Sequence, residues 1–167
     1  WSVMRAVIEP HYALGKGRGR KPFALNTMLH VHVAQIVYNY SDPGMEDALY
    51  EIESLRRFCG IRLEAVPDES TILQFRHVLE KHGLTEQIFQ AINQTLSERG
   101  LFLKAGTIVD ASLIAAPTST KNQSQTRDPE MHSSKKGNQW YFGSKFHIGV
   151  DHKTGLVHTL KLTSGNV

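Results

Sequence analysis

Thr107-Ile108-Val109-Asp110-Ala111-Ser112 is the stretch on which the reading of this chain turns, because helical periodicity gives way there to extended periodicity. Ile and Val suit a pleated strand, and an apolar run of this kind is expected to be buried. Asp110 interrupts it. An ionised carboxylate in a buried strand is costly unless it is paired or bound to metal. Two accounts stand open at this point: a carboxylate bonded to a nearby Lys or to backbone amides, or a metal ligand.

Downstream, Gly143 to Val150 alternates, with Phe146, Ile148 and Val150 opposite in facing to Lys145 and His147. Asp151-His152-Lys153-Thr154-Gly155 reads as a hairpin turn, and Leu156 to Thr163 alternates again on the return. A three-strand antiparallel meander is the expectation. Between its first two strands lies an insertion, residues 113–142, rich in Ser, Thr, Asn, Gln and Lys. A loop of that length inside a compact domain is uncommon and marks a candidate ligand-contacting element. Its cations Lys121, Arg127, Lys135 and Lys136, the aromatic block Trp140-Tyr141-Phe142, and Lys145 just beyond form a mixture that can clamp phosphates and stack on bases. The plainer account is a solvated loop that Trp140 and Phe142 anchor to the core. Asp128, Glu130 and His132 have neither Cys partners nor helical spacing to favour a zinc site.

Upstream, the apolar spacing is helical. Met28, Leu29, Val31, Val33, Ile36, Val37 and Tyr40 share a face of a helix that starts at Asn26 and stops at Ser41-Asp42-Pro43-Gly44. A second helix is expected from Met45 to Phe58, with Ala48, Leu49, Ile52, Leu55 and Phe58 inward and Arg56 and Arg57 in its last turn. Asp68 or Ser70 can cap a third, ending near His82, and Leu84 opens a fourth that ends at Gly100. Before these helices, Gly15-Lys16-Gly17-Arg18-Gly19-Arg20-Lys21-Pro22 cannot hold a helix. Its four cations suit a phosphate backbone or a minor groove, and equally a solvated linker.

Bulk properties narrow the class without naming it. The 167 residues carry 19 Lys and Arg against 16 acids, a formal charge of +3 that permits a polyanionic partner. Cys59 is the single cysteine, so no intrachain disulfide forms, and no run is apolar for long enough to span a bilayer or serve as a signal peptide. A cytoplasmic setting without a membrane is the expectation. No Walker-type phosphate loop, no Gly-x-Ser-x-Gly elbow and no Cys/His dyad is present. Trp at position 1 and the run Gly165-Asn166-Val167, which follows a strand with no capping segment, read as cut ends.

Taken in order, Ile8-Glu9-Pro10-His11-Tyr12, Tyr38-Asn39-Tyr40-Ser41-Asp42-Pro43, Met45-Glu46-Asp47-Ala48-Leu49-Tyr50-Glu51, Pro67-Asp68-Glu69-Ser70-Thr71-Ile72-Leu73, Thr107-Ile108-Val109-Asp110-Ala111-Ser112, Arg127-Asp128-Pro129-Glu130-Met131-His132 and Lys135-Lys136-Gly137-Asn138-Gln139-Trp140-Tyr141-Phe142-Gly143 resemble the bacterial transposases of the insertion-sequence five family. The resemblance covers nearly the whole chain. It implies an α+β chain: an N-terminal segment with a basic arm (1–25), a helical DNA-binding domain (26–103) and a partial ribonuclease-H-like catalytic domain (104–167), incomplete at its C-terminus.

The family's activity is DNA cleavage and strand transfer at the inverted repeats of an insertion sequence. It depends on Mg²⁺ or Mn²⁺ held by two Asp and one Glu, the DDE set, in an enzyme that works as a homo-oligomer on double-stranded DNA. Asp110 matches the first Asp. The resemblance places the second Asp and the Glu after Val167, so the expectation is a transposase fragment, inactive alone, that does not hold the metal tightly. Lys16, Arg18, Arg20, Lys21, Lys121, Arg127, Lys135, Lys136, Trp140 and Lys145 are the expected DNA contacts. The alternative is a non-catalytic DNA-binding or inhibitory product. Asp151 is expected to form a turn rather than to replace the missing ligand. The open edge of the Asp110 strand is expected to attract another chain.

Overall fold

The structure is a computed structural model that describes residues 1–12, 21–102, 106–118 and 126–166. The chain forms two compact units, Trp1–Thr95 and Leu96–Val167.

The first unit is helical: α1 (Ser2–Ile8), α2 (Leu25–Tyr38), α3 (Asp42–Glu51), α4 (Glu53–Cys59), α5 (Glu69–Lys81) and the start of α6 (Leu84–Glu98), with short 3-10 turns at Glu9–His11 and Leu63–Ala65. Its boundaries are local chemistry. Asn39 adopts a left-handed conformation to end α2, the Ser41 hydroxyl accepts from the Gly44 amide to start α3, and the Asp68 carboxylate accepts from the Thr71 amide at 2.7 Å to start α5.

The single helix expected from Met45 to Phe58 is two. Ile52 is extended between α3 and α4, and Arg56 Nη1 donates to the carbonyls of Leu49 and Tyr50 at 2.9 and 2.6 Å. Those carbonyls belong to the last turn of α3 and lack helical partners, so the guanidinium stabilises the break. Ile52 and Phe58, expected inward, are consequently exposed.

The α1 helix, which sequence periodicity did not predict, packs into the same core through Ile8. Met28, Leu29 and Val31 of α2, Met45 and Leu49 of α3, Leu55 of α4, and Ile72, Phe75 and Leu79 of α5 complete that core with Leu84. Each such side chain, fully removed from water, contributes about 1.5–3 kcal/mol. A polar link ties three of the helices together: Asp42 on α3 accepts from Gln35 Nε2 of α2 at 2.6 Å and from Arg76 Nη2 of α5 at 2.7 Å.

The second unit is an antiparallel sheet of β1 (Thr107–Ala115), β2 (His132–Lys136), β3 (Gln139–Asp151) and β4 (Val157–Ser164). The expected meander of β1, β3 and β4 is present, with β3 central and β1 at one edge. Two features differ from the expectation. A fourth strand, β2, pairs with the start of β3, so the insertion is not a loop over 113–142: β1 continues to Ala115 and β3 begins at Gln139. Nor is β1 buried, since Val109 is 72% exposed. Paired, among the described residues, with β3 alone, β1 gains pleated geometry without gaining cover. All the buried apolar side chains among the described residues belong to the span from Ile8 to Leu84, and the sheet's buried positions are Gly143, Ser144, Gly149, Asp151 and Gly165.

Two glycines fix how the strands meet. A Cβ at Gly143 would stand 1.9 Å from the Ile114 carbonyl oxygen, and one at Gly165 would stand 2.4 Å from that of His132. Gly165 also donates from its amide to the Gly143 carbonyl at 3.1 Å. The end of β4 and the start of β2 therefore come together along the same edge of β3.

Candidate functional site

Asp110 is in the middle of β1, directly opposite Ile148 of β3, which in turn faces Leu160 of β4. Residues opposite one another in an antiparallel ladder share a face, and successive residues alternate. Asp110 therefore shares a face with Ile108, Ser112 and Ile114 of its own strand, and with Phe146, Ile148, Val150 and Leu162 across the sheet. Among the described residues its carboxylate has no hydrogen bond and no ion pair. Among the described residues, then, no Lys and no backbone amide holds this carboxylate. Its exposure removes the desolvation cost that made it conspicuous in the sequence.

Asp151 is three register steps along β3 from Ile148, in the position opposite Thr107. Three steps are an odd number, so its side chain belongs to the other face, roughly 10 Å farther along the strand. There it is 3% exposed, and its Oδ1 accepts from the amides of Lys153 and Thr154 at 3.1 and 2.9 Å and from Thr154 Oγ1 at 2.9 Å. It shapes the β3–β4 turn, as expected.

Of the basic positions singled out in the sequence, Lys16, Arg18, Arg20 and Lys121 lie outside the described residues. Lys21 is exposed and borders a depression formed with His11, Tyr12, Phe23 and Phe75 in the helical unit. In the sheet, Lys135 faces Trp140 across β2 and β3, while Lys136 faces Gln139. Arg127 stands 5.4 Å from the centre of the Phe142 ring, a cation–π geometry. By strand alternation Lys135, Trp140 and Phe142 share the face of Asp110, whereas Lys136 and Lys145 belong to the other. Trp140 is 67% exposed, so it does not anchor the insertion to a core.

The histidines serve local structure. His147 Nε2 is 3.0 Å from Thr163 Oγ1, and His158 Nε2 is 3.2 Å from Thr107 Oγ1. Asp128 Oδ1 accepts from the Glu130 amide at 2.9 Å in a turn. Among the described residues no group of three or more His, Cys, Asp or Glu is placed to hold a metal ion. One isolated carboxylate does not fit a site that clamps two divalent ions, which needs several bridging oxygens.

Sequence reasoning missed β2, the residues Ser133 and Ser134 that it brings to β3, and Gln139 at the start of β3. The available signal was Gly137-Asn138, a two-residue hairpin pair, with Gly137 at φ 62° in the first central position. An apolar pocket of about 410 Å³ lies in the helical unit between α2 and α4, lined by Val33, Val37, Tyr38, Leu55 and Phe58 among others.

Two family models match the chain. Residues 1–78 match a transposase domain (DUF772), and residues 102–167 match a transposase DDE domain. No solved structure matches it. Among the described residues no helix is long and apolar enough to cross a membrane.

Proposed function

The chain belongs to the DDE transposases, and from that premise we propose that it binds the terminal inverted repeats of an insertion sequence of the five family and supplies Asp110 as the first carboxylate of the catalytic set. The observation that carries this reading is the exposed Asp110 carboxylate in the middle of β1, which has no partner among the described residues. A carboxylate with no protein partner is available to a hard divalent cation such as Mg²⁺ or Mn²⁺. When bound by a full set of carboxylates, such ions activate the attacking oxygen and stabilise the leaving one in phosphodiester cleavage and strand transfer. Residues 1–167 contribute one ligand to that set, so on this reading they hold the metal weakly and do not cleave DNA by themselves.

Binding draws on Lys16, Arg18, Arg20 and Lys21 of the basic arm, and on Lys121, Arg127, Lys135, Lys136, Trp140 and Lys145 of the second unit. The test is incubation with a duplex carrying the inverted repeat that flanks the coding sequence, with Mg²⁺ or Mn²⁺. A retarded complex that weakens steeply with salt, and no nicked or joined product, is the expected outcome. Appearance of product would overturn the claim of inactivity, and absence of a complex would overturn the claim of binding. A second reading, a non-catalytic product that occupies element ends, is favoured if Asp110→Asn leaves the inhibition of an active transposase unchanged.

A further inference from the structure

The stretch from Met131 to Val150 contains Lys135, Lys136 and Lys145 and no acid. Within it, the ribbon of β2 and the start of β3 runs past its neighbours. Pairing with β1 stops at Ala115 opposite Gly143, and pairing with β4 begins at Ser144 opposite Ser164. The Ala116 amide still donates to the Phe142 carbonyl at 2.8 Å, and from Gln139 to Tyr141 β3 has β2 as its one described ladder partner. The result is a two-stranded projection, closed by Gly137 and Asn138, with Ser133, Lys135 and Trp140 on one side and Ser134, Lys136, Gln139 and Tyr141 on the other. Trp140, the largest apolar group of the ribbon, is exposed rather than packed on a core, and the hydroxyl, amide and ammonium groups around it are those that read base edges and phosphates.

Resting on the DNA-binding reading above, we infer that this ribbon docks in the major groove of duplex DNA. Dimensions choose the groove. Two strands about 4.8 Å apart, with their side chains, are too wide for the minor groove of undeformed B-form DNA, about 6 Å, and match its major groove of about 12 Å. The register also separates groove docking from stacking on an unpaired base at the reaction centre. Trp140 is eight residues before Ile148, the partner of Asp110. At about 3.3 Å per residue this is roughly 26 Å, or about seven to eight base pairs at 3.4 Å each. A base beside a phosphodiester held at Asp110 lies within one or two nucleotides of it and cannot reach Trp140.

The experiment uses the whole chain and the inverted-repeat duplex. Replacing both lysines (Lys135→Ala with Lys136→Ala) should weaken binding about tenfold and lower the salt slope by about 2, with Lys135→Arg and Lys136→Arg restoring both. Trp140→Ala should weaken binding at every salt concentration. On the unaltered protein, methylation of guanine N7 should interfere with binding, while a minor-groove ligand should not compete. An iron chelate tethered at Asp110→Cys should cut DNA centred about seven to eight base pairs from the interfering guanines, since Cys59 is buried and stays unlabelled. Unchanged affinity and salt slope in the variants, loss of binding to the minor-groove ligand, or cutting centred on the interfering guanines would each overturn the inference and leave the DNA-binding reading intact. Failure of the unaltered chain to bind would overturn both.

Discussion

Asp110 and Ile148 stand directly opposite one another across the β1–β3 ladder, a carboxylate paired with an aliphatic side chain. Neither contributes an electrostatic partner to the other. Replacement of Asp110 by Asn should therefore leave the unfolding free energy of the sheet within about 0.5 kcal/mol of the parent. Denaturant unfolding followed by strand circular dichroism measures it. A loss of several kcal/mol would mean that the carboxylate is a structural partner after all.

Asp151 should behave in the opposite way. Its buried Oδ1 collects two backbone amides and a hydroxyl, and Asp151→Ala would orphan all three donors. The expected cost is about 2–3 kcal/mol, with faster amide exchange at Lys153 and Thr154. Exchange rates equal to those of the parent would show that the turn forms without it.

Asp42 makes the helical unit sensitive to acid. Burial acts against its charge, but hydrogen bonds from Gln35 and Arg76 and the charge of Arg76 outweigh that and hold its carboxyl below the ordinary value. A depressed folded pKa gives stability that is fully present above the unfolded pKa of about 3.9 and is lost as pH falls through the folded one. The thermal stability of the helices should fall as pH drops below about 4. Asp42→Asn should remove part of that dependence while costing about 1–3 kcal/mol at neutral pH.

Gly143→Ala is expected to be severe. The added methyl would fall 1.9 Å from the Ile114 carbonyl oxygen, with backbone rather than a flexible side chain in the way. Loss of β1 pairing, read by amide exchange across Thr107–Ala115, is the expected outcome, with the helical unit's core untouched. Retained protection in β1 would show that the strands can shift to admit the methyl.

How far the fold could be read from the sequence depended on how local the determining chemistry was. Asp68, Ser41 and Gly60 announce helix ends because a cap acts on amides or carbonyls within one turn. The break at Ile52 was hidden because Arg56 stabilises it by reaching back seven residues to Leu49. β2 was hidden because Ser133-Ser134-Lys135-Lys136 has neither apolar alternation nor strand propensity, and only its pairing with β3 makes it a strand. For β1 the pattern identified the strand but overstated its burial, since Ile and Val fit a pleat whether or not anything covers it. Local physics left Asp110 with two accounts. The order of motifs along the chain pointed to a metal ligand, and among the described residues no lysine or amide holds the carboxylate.

The open edge of β1 gives Asp110 a second consequence. Thr107 to Ala115 is an uncovered strand of high β-propensity, and among its nine residues Asp110 is the one charge. A charge in the middle of an exposed edge makes it a gatekeeper, because stacking copies of the strand would bring like carboxylates together. The substitution chosen to silence a DDE active site, Asp110→Asn, would at the same stroke neutralise the residue that keeps these edges apart. An inactive variant serves as a neutral control only once its solubility has been compared with that of the parent.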